Sequence, residues 1–202
     1  DLEIEAKLTS TSDKAFLLIH DFIARNGLDG FEIEKGFPHF LSRGLRVCYL
    51  KSNGNLFDKI VFYGFRQPAI INKSATELVK DELNLNCILS RGEVKKENVL
   101  TKDDLKRAID KKAVWLDKRK IVFWIENILT GRVYHVANDK CWSNGVNDLS
   151  QVEIEYAGTV KENIPDKLAI VADISKITKS LINRFDFLAP TTIRKEGWFA
   201  ND

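Results

Sequence analysis

The sequence predicts an α+β protein built on an antiparallel sheet or barrel. Three observations carry that expectation. About eight stretches read as strands, most of them joined by hairpin-style turns; only three or four have helical period; and the regular strand–helix–strand alternation of a parallel sheet is missing. The chain of 202 residues is 44% apolar, enough to bury a sizeable core. It has no apolar run approaching the roughly 20 residues that a membrane-spanning helix needs.

Residues 2–8 open the chain with strict alternation, Leu2, Ile4, Ala6 and Leu8 on one face and Glu3, Glu5 and Lys7 on the other, which is a strand pattern. Ser12 is then the expected cap of a helix in which Ala15, Phe16, Ile19, Phe22 and Ile23 fall at spacings of three and four, with Gly27 as its stop. Strands are expected at residues 30–35, 44–51 and 59–65, the last two joined through Ser52, Asn53, Gly54 and Asn55. Residues 74–83 read as a short helix and 86–97 as a strand. Thr101 starts a helix with a modest apolar face of Leu105, Ala108 and Ile109. Three more strands follow at 114–126, 132–138 and 151–158, with turn signals at Thr130, Gly131 and around 143–147. Pro165 and Asp166 open a last helix carrying Leu168, Val171, Ile174, Ile177, Leu181 and Ile182, and residues 189–202 form a tail with no clear period.

Four scattered prolines and the absence of a Gly/Ser-rich linker favour a single domain over residues 1–202. The three cysteines are far apart, without CxxC spacing, so neither a disulfide framework nor a zinc cluster is indicated, and a cytoplasmic protein is expected. With no Met and Asp1 at its head, the chain is expected to be a piece of something longer. Lys and Arg number 31 against 29 Asp and Glu, a balance that carries no strong nucleic-acid signal and names no partner. A monomer and a homodimer are equally compatible with it.

The chemistry lies in charged strand faces. Glu3, Glu5 and Lys7 share a face at about 7 Å intervals, and two carboxylates that close repel unless a cation lies between them. Hard oxygen ligands of that reach suit Mg²⁺ or Mn²⁺, whereas a solvated edge strand is the plain alternative. Glu153 and Glu155 repeat the pattern opposite Val152, Ile154 and Tyr156. Basic residues also fall at strand parity: Lys118 and Lys120 on one face with Trp124, and Arg46 and Arg91 within other strands. Arg would hold phosphate oxygens by its fork and Lys as a point charge. His20, His39 and His135 have no partner at recognisable spacing and are read as structural.

Glu3-Ile4-Glu5-Ala6-Lys7 resembles the ExExK signature that opens the CYTH domain, the triphosphate tunnel metalloenzymes. Gly44-Leu45-Arg46-Val47-Cys48 is similar to that family's GxLRxR strand, with Cys48 where a second arginine is usual. Val61-Phe62-Tyr63-Gly64 lies at its TxKG strand, with Tyr63 in place of the lysine. Arg91-Gly92-Glu93 resembles the RxE that follows, after an insertion around 67–86, and Lys118-Arg119-Lys120 resembles KxR. Asp139 and Glu153-Ile154-Glu155 match the final acidic positions, and Lys195 corresponds loosely to a C-terminal lysine that closes the tunnel.

The resemblance implies an eight-stranded antiparallel barrel, a tunnel with flanking helices, that acts on a small triphosphate-containing substrate. Glu3, Glu5, Asp139, Glu153 and Glu155 would hold Mg²⁺ or Mn²⁺. Lys7, Arg46, Arg91, Lys118, Lys120 and Lys195 would hold the phosphates, and Glu3, Glu5 and Lys7 form the catalytic signature. Triphosphate hydrolysis is the expected reaction. Cyclisation of ATP and non-catalytic polyphosphate or nucleotide binding are the alternatives, with Lys59, Arg66, Lys95 and Arg132 as candidates to replace the missing basic groups.

Overall fold

A computed structural model describes residues 2–36, 41–51, 57–63, 68–97, 100–109, 113–143, 146–160 and 166–199. Eight strands close a barrel: β1 (Leu2–Ser10), β3 (Leu41–Lys51), β4 (Phe57–Phe62), β5 (Ala69–Lys73), β7 (Ile88–Glu97), β8 (Val114–Asn127), β9 (Arg132–Ser143) and β10 (Val146–Thr159). Their order is β1-β10-β9-β8-β3-β4-β5-β7, with β7 returning to β1, and the pairings around that circuit are antiparallel. Closure leaves these strands no free edge and gives the barrel an inner and an outer face. Three short strands lie off the circuit: β2 (Phe31–Ile33) on β8, β6 (Glu77–Leu78) on β7 and β11 (Leu188–Pro190) on β1.

The outer face is apolar where helices cover it. Ile4, Ala6 and Leu8 of β1, Phe123 and Ile125 of β8, and Val152 and Ile154 of β10 pack against α1 (Ala15–Ala24) and α3 (Lys167–Arg184). The buried stripe of α3 is Ile170, Val171, Ile174, Ile177 and Leu181, at helical spacing. Beneath it Asp173 accepts hydrogen bonds from the Tyr134 hydroxyl at 2.7 Å, Arg132 Nε at 2.8 Å and Asn127 Nδ2 at 3.0 Å. This network pins the helix to the β8–β9 turn. On the opposite wall Cys48, Leu50, Ile60 and Ile70 pack with Ala108 at the end of α2 (Lys102–Ala108). Thr101 begins α2 with a full capping box, as its sequence predicts.

Several elements differ from the sequence expectation. The helix expected at 74–83 is absent: the Asp81 carboxylate accepts the backbone N–H groups of Leu83 and Leu85, building a turn, and Asn84 and Asn86 take positive φ values of 52° and 54°. Residues 67–86 instead supply β5, a barrel strand, and β6. α1 begins at Ala15 with Lys14 at the cap, while Ser12 Oγ accepts the Lys14 N–H one turn earlier, and the stop is Asn26 at φ 60° rather than Gly27. Leu168, expected on the apolar stripe of α3, is 76% exposed in its first turn. The tail contains β11 and a short helix, α4 (Lys195–Trp198). Phe199, Trp198 and Ile193 of this tail pack with Val47, Leu116, Cys141 and Leu149, plugging the barrel interior with an apolar layer. Ser52, Asn53, Gly54, Asn55, His39 and Arg66 lie outside the described residues.

Candidate active site

Above the apolar plug the barrel interior is charged. Inward positions of β1, β7, β8 and β10, with Lys59, Lys73, His135 and two tail residues, Arg194 and Lys195, line a cavity of about 190 Å³. Eight Lys and Arg side chains face five Glu there. An interior with that surplus of positive charge, enclosed by a low-dielectric wall, is built for an anion.

Register decides which charges meet. Glu5 stands opposite Glu155 across the β1–β10 ladder, and Lys7 stands opposite Glu153. Glu3 stands opposite Arg91 on the other flank of β1. Ligand oxygens of Glu3, Glu5 and Glu155 thereby lie within 4.8 Å of one another. Three carboxylates at that separation are a hard-oxygen donor set of the type that Mg²⁺ and Mn²⁺ accept.

The acids are compensated by internal cations. Lys73 Nζ donates to both Glu3 oxygens at 3.0 and 2.9 Å, and Arg91 pairs with Glu3 and, at 3.0 Å, with Glu5. Lys7 lies 3.0 Å from Glu5 and 2.5 Å from Glu153, and Lys195 lies 2.5 Å from Glu153 and 2.8 Å from Asp139, which also pairs with Lys118. His135 Nε2 is 2.7 Å from Glu155 Oε2.

These partners set the protonation states. Burial alone would raise the carboxyl pKa values, but Lys195, Lys7, Lys118 and Lys120 hold Glu153 well below its ordinary value. Lys118 and Lys195 lower Asp139, Lys73 and Arg91 lower Glu3, and His135 lowers Glu155. Lys195 is raised well above its usual value because Asp139 and Glu153 outweigh its burial. Two lysines shift the other way: burial lowers Lys118 although Asp139 opposes it, and desolvation, then Lys73 and Lys118, depress Lys59 well below 10.5. Lys59 lines the same cavity, and among the described residues it has no hydrogen bond or ion pair.

Most of the residues expected from sequence converge here. Glu3, Glu5, Lys7, Arg91, Lys118, Lys120, Glu153, Glu155 and Lys195 all line the cavity, and Asp139 is fully buried directly behind it. Glu153 and Asp139 stand outside the three-carboxylate cluster and share Lys195 between them.

Arg46 does not join them. Its side chain points outward, 60% exposed, 3.4 Å from Asp117 and over the Trp115 ring at 5.8 Å. Strand parity is the cause: Leu45 pairs with Lys118 on the inner face, so Arg46 pairs with Asp117 on the outer one. Leu41, Arg43, Leu45, Val47 and Tyr49 are inward residues of β3. Cys48 likewise faces outward, into the core beside Ala108. Arg132 is engaged by Asp173 below α3, while the Lys95 side chain, like Arg66, lies outside the described residues; of the proposed replacements that are described, Lys59 is placed in the cavity.

Lys59, Lys73 and His135 are the residues that sequence reasoning passed over or ranked low. Lys59 shares the inner face with Val61 and Tyr63 at strand parity, a signal visible only once the inner face is known. His135 is opposite Glu155 in the β9–β10 ladder, a pairing that no spacing within one strand reveals. Lys73 lies in β5, for which no strand was expected.

No family model and no curated protein matches the sequence. Solved structures do share its fold. A conserved hypothetical protein from Pyrococcus furiosus superposes with a TM-score of 0.54 at 14% identity, covering 97% of this chain and 99% of the other. A protein from Pyrococcus horikoshii gives 0.53 at 12% identity, covering 98% and 99%. The mimivirus capping enzyme triphosphatase gives 0.57 at 11% identity, covering 90% and 89%. The chain is therefore similar in fold to a triphosphatase, as a closed antiparallel barrel with flanking helices. Among the described residues no helix is long and apolar enough to cross a membrane.

Proposed function

We propose that this chain is a divalent-metal-dependent triphosphatase, in keeping with its resemblance to the CYTH family. The observation that carries the reading is one juxtaposition: a three-carboxylate cluster of Glu3, Glu5 and Glu155 in the same cavity as a surplus of Lys and Arg side chains, Lys59 among them. Glu3, Glu5 and Glu155 would hold Mg²⁺ or Mn²⁺. A metal so held would neutralise charge on the transferring phosphoryl group and lower the pKa of the attacking water.

The chain's own residues do the rest. Arg91 and Lys73 would exchange their Glu3 contacts for phosphate oxygens when Glu3 turns to a cation, Lys73 keeping Glu93 and Arg91 keeping Glu5 as second partners. Among the described residues Lys59 and Lys120 have no direct ion-pair partner to give up, which makes them the most available phosphate ligands. Lys7, Lys118 and Lys195 remain anchored by Glu153 and Asp139 and hold the chain of phosphates in line from the far side. Such preorganised cations stabilise charge where it develops, without reorganisation during the step.

Product analysis with ATP tests the reaction type. Orthophosphate release supports hydrolysis, and cyclic AMP with pyrophosphate supports cyclisation. Binding without turnover in both Mg²⁺ and Mn²⁺ leaves only a polyphosphate-binding module.

A further inference from the structure

The outer face of the barrel carries a separate depression. A groove of about 530 Å³ lies between α1 and strands β3, β8 and β9, inside the range of roughly 300 to 1,000 Å³ that small-molecule sites occupy. Its floor is one cross-strand row, in which Ser42 pairs with Ile121 and Ile121 with Asn138. Ile121 alternates along β8 with Lys120 and Val122, which face the interior, so one layer of backbone separates the groove from the charged cavity. Phe16, Leu17 and His20 of α1 form the wall, with Leu17 66% exposed.

Two features of this groove are costly to the folded chain as it stands. The neighbouring cross-strand row sets Arg119 opposite Lys140, and like charges in that relationship destabilise a sheet. Lys140 reaches Asp13 at 3.2 Å, whereas Arg119 pairs with no acid among the described residues; both cations line the groove. His20 Nε2 and Asn138 Oδ1 are shielded from solvent and lack a hydrogen-bond partner among the described residues, a loss that packing does not repay. Neither side chain makes a hydrogen bond within the described residues, so turning the amide or the imidazole toward the groove breaks none.

We propose that the groove is a binding site for a small aromatic anion, a flat ring carrying one carboxylate or phosphate group. The ring lies against Phe16, Leu17 and Ile121, the acidic group sits between Arg119 and Lys140, and an N–H or O–H of the ring system donates to Asn138. Such a ligand supplies the counter-charge that Arg119 lacks. Asp13 is exposed, and an exposed ion pair is worth little, so Lys140 exchanges it readily. An anion without a ring gains nothing from the apolar floor, and a cation on the same ring meets two like charges. The site lies outside the barrel and does not depend on the triphosphatase reading.

Amide chemical-shift mapping by NMR in EDTA tests the site with indole-3-acetate, indol-3-yl phosphate and tryptamine, which put a carboxylate, a phosphate and an ammonium on one ring. At least one of the two anions binds saturably with a dissociation constant below about 1 mM, shifts the amides of Leu17, His20, Ile121 and Asn138, and is not displaced by excess tripolyphosphate. The tighter of the two identifies the acidic group, and tryptamine binds about tenfold or more weakly. Arg119→Gln, at an exposed position, weakens the preferred anion by about tenfold or more, and Leu17→Glu, which adds a carboxylate to the wall, does the same. The proposal is overturned if neither anion binds saturably, if the shifts fall elsewhere, if tripolyphosphate displaces the anion, if tryptamine binds equally well, or if Arg119→Gln leaves the affinity unchanged.

Discussion

Glu5 and Glu155 face each other directly across the β1–β10 ladder. Two carboxylates in that relationship repel, yet they remain within a cluster that also contains Glu3. Their proximity is tolerated because Lys7, Arg91 and His135 surround them. Neutralising one of the pair removes a metal ligand from a wetted interior and leaves the apolar core untouched. Glu5→Gln is therefore expected to lower metal-dependent turnover by roughly 100-fold or more. Its melting temperature, read by circular dichroism, should stay close to that of the unaltered chain.

Lys59 gives a prediction of opposite sign for stability and binding. Its folded pKa lies below 10.5, so the unfolded chain holds its proton more tightly, and the penalty is fully present below the folded pKa and relieved as pH rises through it. Lys59→Met should raise the stability of the ligand-free chain at neutral pH. It should weaken tripolyphosphate binding by about 1.5 to 3 kcal/mol, the worth of a charge-assisted contact. Urea unfolding and calorimetry read the two effects separately; a destabilised variant with unchanged binding would assign Lys59 to packing.

Acid should dismantle the interior from its carboxylates. Glu3, Glu153, Glu155 and Asp139 are all depressed by neighbouring cations, below ordinary values of 4.5 for the glutamates and 3.8 for the aspartate. The stability they contribute is complete above those unfolded values and is lost as pH falls through the folded ones. Unfolding free energy measured between pH 6 and pH 2 should hold level through the upper part of that range and fall steeply below about pH 4.

Asp173 tests the scaffold independently of the site. Removing the acceptor takes the Asp173 carboxylate from Arg132, Asn127 and the Tyr134 hydroxyl beneath α3, so Asp173→Ala is expected to cost about 3 kcal/mol or more, and Tyr134→Phe only about 1 kcal/mol. Both variants should retain full activity per folded molecule, because neither residue lines the cavity.

The barrel's charged interior was legible where a single strand carries the signal. Glu3, Glu5 and Lys7 alternate with buried apolar residues, and so do Glu153 and Glu155; alternation alone assigns each set to one face. What one strand cannot disclose is its neighbour. The Glu5 and Glu155 pairing, the Glu155 and His135 pairing and the outward turn of Arg46 are properties of cross-strand register, and a shift of one residue reverses all three. β5 escaped notice because the five residues of Ala69–Lys73 show little alternation, with Ala69, Ile70 and Ile71 adjacent and Ile70 packed outward against Cys48 while Ile71 packs inward. The helix expected at 74–83 failed for a different reason, local capping of backbone N–H groups by Asp81, which competes with helix formation.

The most direct measurement is orthophosphate release from tripolyphosphate and from ATP, followed with Mg²⁺, with Mn²⁺ and with EDTA. A metal-supported triphosphatase releases phosphate from at least one of the two with either ion, stops in EDTA, and is silent in Glu5→Gln. Release that persists in EDTA, or that Glu5→Gln leaves intact, would place the chemistry somewhere other than the carboxylate cluster of the barrel.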